Sequence, residues 1–183
     1  MAERLERGAA ADAPIGAWLK AGCAAGFAGG LAEVAFMGIY SALGGISGGT
    51  MLRLITNTFT SASFAFGPAG AFDGLVIHLI LSALIGVAFG VLQCLLHRAR
   101  AAVSYPILVS SGAALLAGIW AFNFFVLLPV INPAFTVYVP LAPAFFSKLS
   151  FGLTLAVTGA LVDAARPRVR AGTFAIGKAD GRA

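Results

Sequence analysis

Four residues in this sequence combine reactive side chains with surroundings that offer them no water. Glu33, His78, Asn123 and Lys148 each lie inside a long apolar stretch, where a charged group costs about 2.5–3.5 kcal/mol on insertion scales. A carboxylate, an imidazole and an ammonium so placed can pass a proton, hold a solute or neutralise one another. The types predict a Glu33–Lys148 ion pair with His78 and Asn123 beside it. One reading makes this a structural polar core that fixes helix register. A second makes Glu33, His78 and Lys148 a relay for a proton or small solute, with Asn123 as a positioning group. A third has Lys148 snorkelling alone to the headgroups along its own stem.

The elements that must position these residues follow from composition. The chain has 183 residues, 60% hydrophobic and 10% charged, with a mean hydropathy of +0.94. Soluble domains carry about 25% charged residues, and disorder needs low hydrophobicity with high net charge. Both are excluded, and the 23 glycines show no collagen period. The sequence reads as an all-α integral membrane protein. A span needs about 20 mostly apolar residues, and four stretches qualify, at about 17–44, 74–96, 105–131 and 142–164. They form a transmembrane domain over 16–164, between an N-terminal segment 1–15 and a basic tail 165–183. Asn132-Pro133 ends the third span, and Pro143 suits the first turn of the fourth.

Lysine and arginine counts orient the bundle. Arg4, Arg7, Lys20, Arg98, Arg100, Arg166, Arg168, Arg170, Lys178 and Arg182 fall on one side, against Arg53 on the other. Both termini are therefore expected in the cytoplasm. The net charge of +5 is mostly this bias, so no nucleic-acid partner is expected. No cleavable signal peptide is apparent, and the first span serves as its own insertion signal. Between the first two spans, Met51, Leu52, Ile55 and Phe59 recur at helical spacing, with Arg53, Thr56, Asn57 and Thr60 on other faces. Residues 47–66 thus read as a short interfacial helix, or as a re-entrant mouth, which must rest on protein or water.

Depths follow from 1.5 Å per residue. Glu33 comes out roughly 16 Å below the outer end of its span, His78 roughly 6–7 Å, and Asn123 and Lys148 roughly 10 Å. Small residues mark the contact faces, because they let helix backbones approach closely in lipid. Gly22, Gly26 and Gly30 line the first span, with Glu33 continuing the row. His78, Ser82, Gly86 and Gly90 form an i, i+4 row on the second, and Lys148 and Gly152 begin one on the fourth.

Other chemistries find little support. Cys23, Cys94 and His97 could hold a metal, but two apolar-lined cysteines read more simply as packing residues. His78 and His97 share one helix about 100° apart in azimuth, which opposes haem between them. No phosphate-binding loop, dinucleotide fingerprint, zinc-protease motif or nucleophile elbow occurs, so no enzyme, cofactor or metal is expected.

The His78-x-x-x-Ser82-x-x-x-Gly86-x-x-x-Gly90 row, Phe124-Phe125-Val126-Leu127-Leu128-Pro129 and Ser150-Phe151-Gly152 resemble a group of small four-helix bacterial inner-membrane proteins without a characterised activity. The resemblance covers about residues 16–163 and implies a fold and a multi-pass inner-membrane address. Members of that group often carry histidine where this chain has Lys148, which puts a two-histidine function in doubt. Two functions follow as expectations: a non-catalytic accessory or assembly subunit in a larger membrane complex, or a homo-oligomeric proton or small-solute transporter. Expected partners are the lipid bilayer and other membrane subunits or further copies of the chain.

Overall fold

A computed structural model describes residues 13–99 and 105–164. The N-terminal cations, Arg100 and the basic tail lie outside the described residues. Those residues are helical without strands: α1 (Ile15–Ala42), α2 (Gly48–Asn57), α3 (Ala62–Ala65), α4 (Gly70–Arg98), α5 (Tyr105–Phe122), a π-helical turn (Asn123–Leu127), α6 (Leu128–Ile131), α7 (Pro133–Tyr138), α8 (Leu141–Leu155) and α9 (Thr158–Ala164). Four spans, Ile15–Ala42, Gly70–Arg98, Val109–Ile131 and Leu141–Val162, are long and apolar enough to cross a membrane.

Local sequence explains the boundaries and the breaks. Gly44, at φ +90°, closes α1. Its N–H donates to Ser41 and that of Gly45 to Tyr40, the paired bonds of a Schellman cap. In the third span, Pro129 has no N–H for the Phe125 carbonyl, and its ring crowds that carbonyl. The backbone answers with the π turn that directly precedes it. The fourth span is not one helix, since α8 ends at Leu155 and α9 starts at Thr158. There Thr154 bonds the carbonyls of Phe151, at 2.7 Å, and of Ala25, at 3.2 Å. Hydroxyl back-bonding of this kind bends helices.

The spans lie in the order α4, α1, α8, α5, and their contacts differ along their length. Lipid is as apolar as leucine, so close packing, not water exclusion, must hold such helices together. α1 and α4 achieve it with small residues. A Cβ on Gly22 would fall on the Gly86 carbonyl, one on Gly26 on the Ser82 carbonyl, and one on Gly90 on the Trp18 carbonyl. α8 seats Phe151 and Thr154 over Gly29, and its Gly152 meets Gly112 of α5. α4 and α5, by contrast, keep their backbones apart along nearly all their length. They meet through side chains, Ile85 and Phe89 against Leu115, Leu116 and Ile119, in a core shared with Ala25, Phe151 and Leu155.

At one end of the bundle, here the capped end, α2 and α7 cover the spans. Met51 and Leu54 of α2 pack with Phe124, Val139 and Ala144. The face of α2 expected to be polar is in part its inner face. Thr56 is fully buried and donates to the Gly70 carbonyl at 2.6 Å, while Phe59 of the expected apolar face is exposed. Gly74 permits this, because a side chain there would strike the Leu52 carbonyl and Thr56. Asn132 then pins α2 from the far side. Its Nδ2 donates to the Leu54 carbonyl at 2.8 Å and to Thr58 Oγ1 at 2.9 Å, and its Oδ1 accepts the Phe135 N–H that starts α7.

Candidate functional site

Beneath α2 the helices surround a cavity of about 710 Å³, and three ionisable residues of the spans collect on its wall. α1 contributes Glu33, α4 His78, and α8 Ser147 and Lys148. Helix lengths explain their common level. α1 ends at Ala42 and α4 begins at Gly70, which puts Glu33 about 13.5 Å and His78 about 12 Å from the capped ends of their helices. The depth difference expected from sequence came from beginning the second span four residues late and ending the first two residues late.

Lys148 Nζ lies 2.5 Å from Glu33 Oε1 and donates to Oε2 at 2.8 Å. Glu33 is 8% exposed. Ser147 Oγ donates chiefly to the Ala144 carbonyl at 2.8 Å and shares that proton with Oε1 at 3.4 Å. His78 Nε2 stands 3.8 Å from Glu33 Oε2 and 3.2 Å from the Gly30 carbonyl. A carbonyl only accepts, so Nε2 is the nitrogen that carries the proton. Nδ1 then has no hydrogen-bond partner among the described residues. Lys148 is therefore paired and does not snorkel alone. Charge-assisted bonds in a low-dielectric site are the strong ones, yet a buried pair roughly offsets its own desolvation. The arrangement holds three helices in register more than it adds net stability.

Asn123 lines the same cavity from the π turn, but among the described residues it makes no hydrogen bond to the other three. Ser82 lies one turn below His78, against Gly30. Ser147 is the part of the site that spacing did not disclose, since nothing but its place before Lys148 marks it. The remaining lining is apolar, including Met37, Met51, Ile85, Ile119 and Phe124.

The other end of the bundle is filled. Trp18, Ala21, Cys94 and Val162 form a buried cluster, with the His97 ring tilted against Trp18 at 4.9 Å between ring centres. Cys23 is exposed and Cys94 buried. Among the described residues no three potential metal ligands come together.

No protein-family model matches the chain, and neither the curated proteins nor the solved structures yield a match.

Proposed function

We propose that the chain is a non-catalytic integral membrane subunit that docks against other membrane helices in a larger assembly. The observation that supports this most directly lies on the outer face of α5. Ser110, Ala114 and Gly118 are exposed at i, i+4 spacing, and nothing lies within 4 Å of where a Gly118 side chain would stand. Glycine costs a helix about 1 kcal/mol relative to alanine, and a small-xxx-small row is what lets a second helix approach. Gly22, Gly26, Gly86, Gly90 and Gly152 all return that cost through contacts inside the chain. Gly118, like Gly38, has no such contact inside the chain, and on the exposed row of α5 a neighbouring helix would supply one. The lysine and arginine bias supports cytoplasmic termini, and the resemblance to small bacterial membrane proteins supports an inner-membrane address.

The transporter reading has the Glu33–His78–Lys148 cluster in its favour. Against it stands the glycine-packed half of the bundle, where backbone meets backbone between α1 and α4 and leaves no room for a file of water. Purification from the native membrane in mild detergent separates the two. Gly118→Leu is expected to release the chain from its assembly without lowering its melting temperature, since leucine is the better helix former and meets no clash there. A wild-type chain that runs as a lone protomer sinks the docking reading. Proton flux in liposomes, abolished by Glu33→Gln, would replace it with transport.

A further inference from the structure

We infer that the capped-end cavity is a binding site for a neutral, single-headed amphiphile that enters from the bilayer between α4 and α5. The inference is independent of the docking reading. Size comes first: a cavity of about 710 Å³ falls within the range of about 300–1,000 Å³ typical of small-molecule sites, which are mostly apolar with a few placed polar groups.

Access comes next. Leu81, Leu84 and Ala88 of α4 and Leu127 beyond α5 line the cavity and are also exposed on the outer surface. They flank the gap where the α4 and α5 backbones stay apart, so the mouth opens sideways. In a membrane a sideways mouth faces lipid, and its ligands are those dissolved in lipid. The floor of that gap is the side-chain contact of Ile85 and Phe89 with Leu115, Leu116 and Ile119.

The polar groups then select the head. Glu33 and Lys148 neutralise each other, so a charged head would enter a dry site without a counter-charge. Several groups on the wall keep unused capacity, among them Trp120 Nε1, a buried donor without a partner among the described residues. The Asn123 amide has both a donor and an acceptor free, and His78 Nδ1 has a free lone pair. A hydroxyl or carbonyl oxygen matches them, whereas a hydrocarbon leaves them unsatisfied. Asn123 opens the π turn, and such turns recur at functional sites in helices. The occupant is thus a long apolar molecule with one neutral head that offers a carbonyl or hydroxyl oxygen.

The two tryptophans make this measurable. Trp120 lines the cavity, while Trp18 is buried at the opposite end. The full chain in lipid nanodiscs is titrated with a decyl-substituted benzoquinone, whose ring quenches indole fluorescence. Saturable quenching is expected, retained in Trp18→Phe and lost in Trp120→Phe. A long-chain alcohol should displace the quinone, and the fatty acid and alkane of equal length should not. Asn123→Leu should weaken binding about tenfold, the loss of one good hydrogen bond, and Ala88→Phe should block it at the mouth. Circular dichroism verifies that each variant is folded, and if Ala88→Phe does not fold, Asn123→Leu decides alone. Quenching that rises without saturation, that Asn123→Leu leaves unchanged, or that the fatty acid displaces as well as the alcohol overturns the assignment.

Discussion

The two halves of the bundle use the same helices and pack in opposite ways. Toward the chain termini, α1 and α4 touch backbone to backbone across Gly22, Gly26, Gly86 and Gly90. Toward the capped end the facing residues grow. Along α4 the row runs Gly90, Gly86, Ser82, His78, and along α1 Gly22, Gly26 and Gly30 give way to Glu33 and Met37. The small residues that allow backbone contact end where the polar residues begin, and at that level the cavity lies, with α2, held by Thr56 and Asn132, over its top. One graded row of side-chain sizes therefore yields both a rigid clamp and a chamber.

The largest effect is expected at Gly86. A side chain there would overlap the Gly22 carbonyl and the Gly26 backbone, and backbone cannot swing aside as a rotamer can. Ordinary overpacking costs about 1–3 kcal/mol, so Gly86→Leu is expected to exceed that and prevent recovery of a monodisperse protein. Size-exclusion profiles in detergent read the result. A well-behaved Gly86→Leu protein would mean that the clamp is looser than the geometry indicates.

In the chamber half the largest effect belongs to the ion pair. Lys148→Met leaves the Glu33 carboxylate without its cation, a loss of about 3–5 kcal/mol for a buried pair. Glu33→Gln combined with Lys148→Met should recover most of it, because two uncharged side chains of similar size need no counter-ion. Melting temperatures of the single and double variants form the cycle. A double variant no more stable than Lys148→Met would show that Glu33 is held chiefly by Ser147 and His78. At the cap, Asn132→Ala removes the bonds to Leu54 and Thr58 and should cost about 1–3 kcal/mol. Amide exchange should then rise in residues 48–58 and stay unchanged in α8.

Much of this architecture can be read from residue types, and the unread part has a common cause. Glu33, His78 and Lys148 stand out because charge is rare and expensive in an apolar span, and the glycine rows of α1 and α4 show as repeats. Asn132 reads only as a stop signal beside Pro133, since its partners Leu54 and Thr58 are more than seventy residues distant in sequence. Gly112 has no small residue one turn away to reveal that it meets Gly152. The break after Leu155 depends on Thr154 reaching a carbonyl of another helix. The chamber itself leaves no motif, because its lining comes from segments distant from one another in sequence. Pairings and voids between distant segments are the information that spacing along one segment lacks.

The finest test of the two halves applies one substitution to both. At Gly26 an added methyl would strike the Ser82 carbonyl and the Gly86 backbone, so Gly26→Ala must push α1 and α4 apart and lower the melting temperature. Gly38 lies in the same helix, three turns nearer the cap, on the cavity wall. Nothing lies within 4 Å of the corresponding position there. Gly38→Ala removes backbone freedom from a helical position without a clash, and should stabilise by about 0.5–1 kcal/mol. Opposite signs for the same change in one helix would locate the transition from clamp to chamber between residues 26 and 38. Equal signs would mean that α1 and α4 move as a single rigid pair, and that the chamber is bounded by α2 and α5 instead.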